Sequence, residues 1–131
     1  MKIEHVALQV PDPLSMARWY VENLGLTVKQ RGVEPPYGHF LAEDGDTVML
    51  EIYAFPEVPT PDYPAREPRE LHLAFTSMDV AGDVKRLVAA GASHVSGPDT
   101  TPSRDEIAML RDPWGVCVQL VKRAKPMLPD R

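Results

Sequence analysis

Residues 3–10, Ile-Glu-His-Val-Ala-Leu-Gln-Val, alternate between apolar and polar side chains, the period of a strand with one buried face. Asp12 followed by Pro13 supplies an N-cap and a first-turn proline, which predicts a helix through Leu24. Leu14, Ala17, Val21 and Leu24 give that helix an apolar stripe facing the expected core, and Gly25 stands where a helix stops. Strands are expected at residues 26–30, 39–43 and 47–53, the last two joined by the hairpin signal Asp44-Gly45. The order is βαβββ.

The same order then recurs. Residues 71–76 read as a strand, and Asp79 caps a helix carrying Val80, Val84, Leu87 and Val88, closed by Gly91. A short strand is expected around His94-Val95, then a hairpin of residues 107–111 and 116–121 across Asp112-Pro113-Trp114-Gly115. The offsets between halves are 67 residues for His5 to His72, 66 for Gly25 to Gly91 and 68 for Glu51 to Gln119. Such steadiness points to an internal duplication. The expected organisation is a single domain over 1–122, with one module over 1–55 and a second over 71–122. Between them, residues 54–70 hold five prolines and read as an extended linker. Residues 123–131 are expected to form a loose tail.

Strand parity assigns side chains to faces. His5, Ala7 and Gln9 share one face of the first strand, opposite Val6, Leu8 and Val10. Met49, Glu51 and Tyr53 share a face opposite Val48, Leu50 and Ile52. His72, Ala74 and Thr76 oppose Leu71, Leu73 and Phe75. Cys117, Gln119 and Val121 oppose Val116, Val118 and Leu120. Each strand thus has an aliphatic face for the helices and a mixed face with one metal-competent or hydrogen-bonding residue: His5, Glu51, His72 and Gln119. Singly, each is more often an isolated polar group on a half-wet sheet. At symmetric positions on one face, two imidazoles, a carboxylate and an amide would be costly to bury without a partner, and a cation would satisfy them all. Nitrogen and oxygen donors without thiolate suit divalent zinc, nickel, cobalt, iron or manganese.

Composition changes the picture by exclusion. The chain has 131 residues, 44% hydrophobic and 25% charged, with fourteen prolines and a net charge of -5 at pH 7. That size suits one domain, and the acidic balance disfavours nucleic-acid binding. The single Cys117 removes any disulfide framework or cysteine-based zinc site. No run approaches the roughly 20 apolar residues of a membrane span, so a soluble cytoplasmic protein without a membrane partner is expected.

His-Val-Ala-Leu-Gln-Val at 5–10, Asp-Pro-Trp-Gly-Val-Cys-Val-Gln-Leu at 112–120 and the doubled βαβββ order resemble the vicinal oxygen chelate superfamily. That group includes glyoxalase I, methylmalonyl-CoA epimerase, extradiol dioxygenases, and the fosfomycin and bleomycin resistance proteins. The resemblance covers residues 1–122 and is more specific for fold than for reaction. It implies an α+β fold of two tandem βαβββ modules, a curled and incompletely closed mixed sheet around a metal and substrate cavity. By position, His5 and His72 match the family's histidine ligands and Glu51 the third ligand of the glyoxalase and epimerase branches. Gln119 stands where most metal-binding members carry glutamate. An amide oxygen still ligates, but it cannot act as a base, and it leaves the ion a stronger Lewis acid.

The resemblance implies first a metal-dependent lyase or isomerase that chelates vicinal oxygens of a small hydroxy-carbonyl substrate and stabilises an enediolate. Glu51, the only acidic residue on the inferred face, is then the catalytic base, a ligand, or both in turn. Gln9 and Phe55 replace an arginine and an asparagine of the glutathione-dependent members, which argues against ordinary lactoylglutathione lyase activity. The alternative is a non-catalytic binder of the bleomycin-resistance type, which Gln119 favours and the other three ligands oppose. A single-module iron dioxygenase ranks third. Gln9, Met49, Tyr53 and Cys117 are expected to line the substrate cavity, with Tyr53 also able to donate to a substrate oxygen. A homodimer is expected.

Overall fold

The structure is a computed structural model describing residues 1–129. Its elements are β1 (His5–Gln9), α1 (Pro13–Leu24), β2 (Thr27–Arg31), β3 (His39–Ala42), β4 (Met49–Tyr53), β5 (Leu73–Thr76), α2 (Val80–Ala89), β6 (Ser93–Thr100), β7 (Glu106–Arg111) and β8 (Cys117–Lys122). They divide between two compact units that meet in sequence at Pro61 and Asp62. Each unit carries one open, four-stranded mixed sheet, ordered β1-β4-β3-β2 in the first and β5-β8-β7-β6 in the second. In each, the first strand runs parallel to the last and the other pairings are antiparallel. The architecture is therefore α+β, built from the same βαβββ topology twice.

The caps form as their sequences require. The Asp12 carboxylate accepts from Ser15 N at 3.1 Å, Pro13 opens α1, and Gly25 ends it in the left-handed conformation. Asp79 accepts from Gly82 N at 3.0 Å in the same way. The buried face of α1 differs from the expected stripe. Pro13, Met16, Ala17 and Tyr20 turn inward, whereas Leu14 is 52% and Val21 37% exposed. Two apolar stripes overlap on this helix, and the one bearing the larger side chains Met16 and Tyr20 is the one that packs.

Strand β6 is also longer than the segment expected around His94-Val95. Gly97-Pro98 reads as a break, but β6 is an edge strand and its register shifts on both sides of Ser96 absorb the irregularity. Glycine is needed at 97: φ is +80°, and a Cβ would come within 2.5 Å of the Ile107 carbonyl oxygen.

The proline-rich stretch contains a single 3-10 turn, Tyr63–Ala65, with Tyr63 buried. Beyond β8, the carboxylate of buried Asp105 accepts from Arg123 Nη1 at 2.8 Å and from Ala124 N at 2.9 Å. The segment after Lys122 is thus fastened at its start; the rest of the expected loose tail includes 130–131, which lie outside the described residues. Among the described residues, no helix is long and apolar enough to cross a membrane.

Candidate functional site

In the first unit, β1 and β4 are parallel neighbours, pairing His5 with Met49, Ala7 with Glu51 and Gln9 with Tyr53. This register puts His5, Gln9, Met49, Glu51 and Tyr53 on one face. His5 Nε2 lies 3.3 Å from Glu51 Oε2, with the side chains 37% and 20% exposed. The other ring nitrogen, Nδ1, donates to the Glu4 carboxylate. That hydrogen bond is the chief reason the His5 pKa stands above the ordinary 6.5; desolvation opposes it, and the charges of Glu4 and Glu51 reinforce it.

Phe40, on β3 directly opposite Glu51, sets its ring edge-on to His5 at 5.4 Å between centroids. Sequence reasoning passed it over, although its parity on β3, opposite His39 and Leu41, was the available signal. Gln9 uses its amide internally, donating to the carbonyls of Phe55 and Val58 at 2.8 and 3.0 Å and accepting from Phe55 N at 3.0 Å. It therefore shapes the chain leaving β4. Tyr53 packs edge-on against Phe55 at 4.8 Å, and both it and Met49 are half-buried.

The second unit repeats the register. Ala74 on β5 pairs with Gln119 on β8, as Ala7 pairs with Glu51. His72, two residues before Ala74, lies just ahead of β5, and its Nδ1 donates to the Pro68 carbonyl at 2.8 Å. A carbonyl only accepts, so Nδ1 carries the hydrogen and a neutral His72 keeps its lone pair on Nε2. The Gln119 side chain has no hydrogen-bond partner among the described residues and is half-buried. Cys117 is almost fully buried, and burial raises its thiol pKa.

The first unit thus brings an imidazole and a carboxylate together on one sheet face, whereas in the second His72 lies just ahead of β5 and Gln119 stands on β8 opposite Ala74. Among the described residues, no group of three or more His, Cys, Asp or Glu side chains forms a metal cluster. The donor chemistry of the first set nevertheless suits a divalent ion. Two ligand atoms each about 2.1 Å from one ion stand about 3.0–3.4 Å apart between right-angled and tetrahedral geometry. The His5–Glu51 separation of 3.3 Å falls in that range.

A groove of about 470 Å³ lies elsewhere on the first unit, between α1 and β2–β3, lined by Leu14, Val21, Val28, Arg31 and His39. His39 is buried there and donates Nδ1–H to the Tyr37 carbonyl at 2.7 Å. This groove lies away from the His5–Glu51 face, because His39 and Phe40 alternate across β3.

Both units share the βαβββ topology and carry a histidine at its start, His5 on β1 and His72 just ahead of β5. A sequence model of the Glyoxalase/Bleomycin resistance protein/Dioxygenase superfamily matches residues 2–120, and the chain belongs to that superfamily. No curated protein matches the sequence significantly. Among solved structures, the chain is similar to TnmS3, an antibiotic binding protein from Streptomyces sp. CB03234 (22% identity, TM-score 0.73, covering 95% of this chain and 97% of that one). It is similar to a glyoxalase family protein from Bacillus cereus (19%, TM-score 0.73, covering 95% and 94%). A glyoxalase-related enzyme from Fulvimarina pelagi matches at 22% identity and a TM-score of 0.71, covering 92% and 87%. At these identities the likenesses concern the fold.

Proposed function

We propose that this chain is a divalent-metal-dependent lyase or isomerase acting on a small substrate with vicinal oxygens, with His5, Glu51, His72 and Gln119 as the metal-binding residues. The observation that carries this reading is shared by the two histidines. Each commits Nδ1–H to an acceptor, Glu4 or Pro68, and leaves Nε2 to bind. Metal-ligating histidines are oriented by such outer partners, which fix the tautomer and raise the basicity of the ligating nitrogen.

A divalent ion would polarise the two substrate oxygens and stabilise the negative charge formed as a neighbouring C–H proton leaves. The Glu51 carboxylate takes that proton and returns it to the product, so no net charge accumulates. Phe40 and Tyr53 wall the face, and the Gln9 amide fixes the chain that carries Phe55. A homodimer belongs to the same proposal; a monomeric mass by light scattering at working concentration contradicts it.

The test is metal content by mass spectrometry on untagged protein, with His5→Ala and His72→Ala. Near-stoichiometric metal, lost in both variants, is the expected result. Wild-type protein that takes up no zinc, nickel or iron on reconstitution overturns it. A second reading, a non-catalytic small-molecule binder, would then stand. It is favoured by the amide at 119, a neutral and weaker ligand than a carboxylate.

A further inference from the structure

We infer that Arg111 is a positioning residue for His72, acting through the chain between Tyr63 and Pro68; the inference rests on His72 being a metal ligand. Arg111 closes β7, and its guanidinium is spent on backbone carbonyls. Nη1 donates to Tyr63 O at 3.0 Å and Gly115 O at 3.1 Å, while Nη2 donates to Arg66 O at 2.7 Å. A planar guanidinium holds its donors in a rigid fork that reaches separated carbonyls, whereas the three donors of an ammonium turn about one point. One end of the clamp is the β7–β8 turn, which holds Gly115. The other end is the turn at residues 63–66, which leads directly to Pro68.

Two further features make the relay stiff. Pro64 sits so close to Gly115 that a Cβ there would meet its ring at 2.4 Å, so the loop lies flush on the hairpin. Next, Glu67 and Glu70 lock the following turn. Glu70 N donates to Glu67 O at 2.9 Å, and Glu70 Oε2 accepts from Glu67 N at 2.8 Å. The Glu67 carboxylate also accepts from Arg69 N and Arg69 Nε at 2.9 and 3.0 Å. Pro68, held inside this turn, presents its carbonyl to His72 Nδ1 at 2.8 Å. His72 thus takes its ring orientation and tautomer from Pro68, in a turn tied to Arg111 of β7. Without the clamp, the Pro68 carbonyl is no longer fixed opposite the ring, and the Nε2–H tautomer, which blocks the ligating nitrogen, competes.

The test is the ¹⁵N spectrum of the histidine rings in metal-free full-length protein, above the range in which histidines titrate. Wild type is expected to show His72 as the Nδ1–H tautomer. Arg111→Met is expected to shift it toward Nε2–H while leaving His5, whose partner is Glu4, unchanged. Arg111→Lys, which keeps the charge without the fork, should fall between them. It carries the test if the methionine variant does not fold. A folded Arg111→Met, or in its absence Arg111→Lys, with wild-type His72 tautomer populations overturns the inference. In the same proteins, zinc affinity by chelator competition is expected to fall about 10- to 100-fold in Arg111→Met, the usual scale for an outer partner of a ligand. If wild type binds no metal, the functional reading fails, and the tautomer measurement still decides the role of Arg111.

Discussion

His5 Nε2 and Glu51 Oε2 face each other at 3.3 Å across adjacent parallel strands, while Glu4 holds the other side of the same ring. The His5 pKa lies above the ordinary 6.5, chiefly through the Glu4 hydrogen bond, with desolvation opposing it and the charges of Glu4 and Glu51 adding to it. Since the folded value exceeds the unfolded one, the stabilisation is complete below about pH 6.5 and disappears as pH rises through the folded pKa. Titration of metal-free protein by NMR should place His5 above 6.5. Glu4→Gln should bring it down, and Glu51→Gln should bring it down less. An unchanged value in Glu4→Gln would show that the Glu4 contact does not persist in solution.

The two apolar stripes of α1 give opposite expectations for similar truncations. Met16 is fully buried, so Met16→Ala should cost about 2–5 kcal/mol through lost burial and a cavity. Leu14 lies on the outward stripe, and Leu14→Ala should change stability by no more than about 0.5 kcal/mol. Urea unfolding of both variants checks this; equal losses would mean that something covers the outer stripe in solution.

That helix also shows where the sequence was legible. Its start and stop are written in local chemistry, in Asp12, Pro13 and Gly25, and these fall where expected. Its inward face is chosen by the sheet beneath it, which local spacing cannot show. The duplication was legible because register preserves it: Ala7 opposite Glu51 and Ala74 opposite Gln119 are the same pairing made twice. The candidate donors were legible only through strand parity, which sets His5 with Glu51 on one face of the first sheet and Gln119 opposite Ala74 in the second. Nothing in the sequence set Gln9 apart as a loop tether, since its partners are backbone atoms 46 and 49 residues away. Arg111 was hidden for the same reason, because an arginine ending a strand looks like any solvated cation.

Asp105 supplies an acid-sensitive fastening for the segment after β8. Its pKa lies below 3.8, first through the hydrogen bond from Ala124 N, then through Arg123, against the opposing effect of burial, with Ser103 adding a further hydrogen bond. A depressed folded pKa contributes stability above the unfolded value that is lost as pH falls through the folded one. The Ala124 amide should therefore be protected from hydrogen exchange at neutral pH, and that protection should fade below about pH 3.8. Asp105→Asn should weaken it at neutral pH and remove most of its dependence on acid. Protection that survives unchanged in Asp105→Asn would assign the fastening to other contacts.

Gln119 is the position where one substitution should change the metal chemistry most. It stands on β8 opposite Ala74, in the register that Glu51 occupies in the first unit, and its side chain is free among the described residues. Gln119→Glu adds a negative oxygen donor without changing side-chain length, so the strand and its pairing are retained. If residue 119 is a metal ligand, the added charge should tighten zinc binding by about tenfold or more, or roughly 1.4 kcal/mol and above. The affinity of the variant should also fall more steeply with acid, because a second carboxylate must be deprotonated to bind. The same change should make the ion a weaker Lewis acid, so affinity and any proton-transfer rate should move in opposite directions. Competition titrations with a chromophoric chelator at two pH values measure the first two effects. Equal affinities in wild type and the Gln119→Glu variant would place residue 119 outside the coordination sphere.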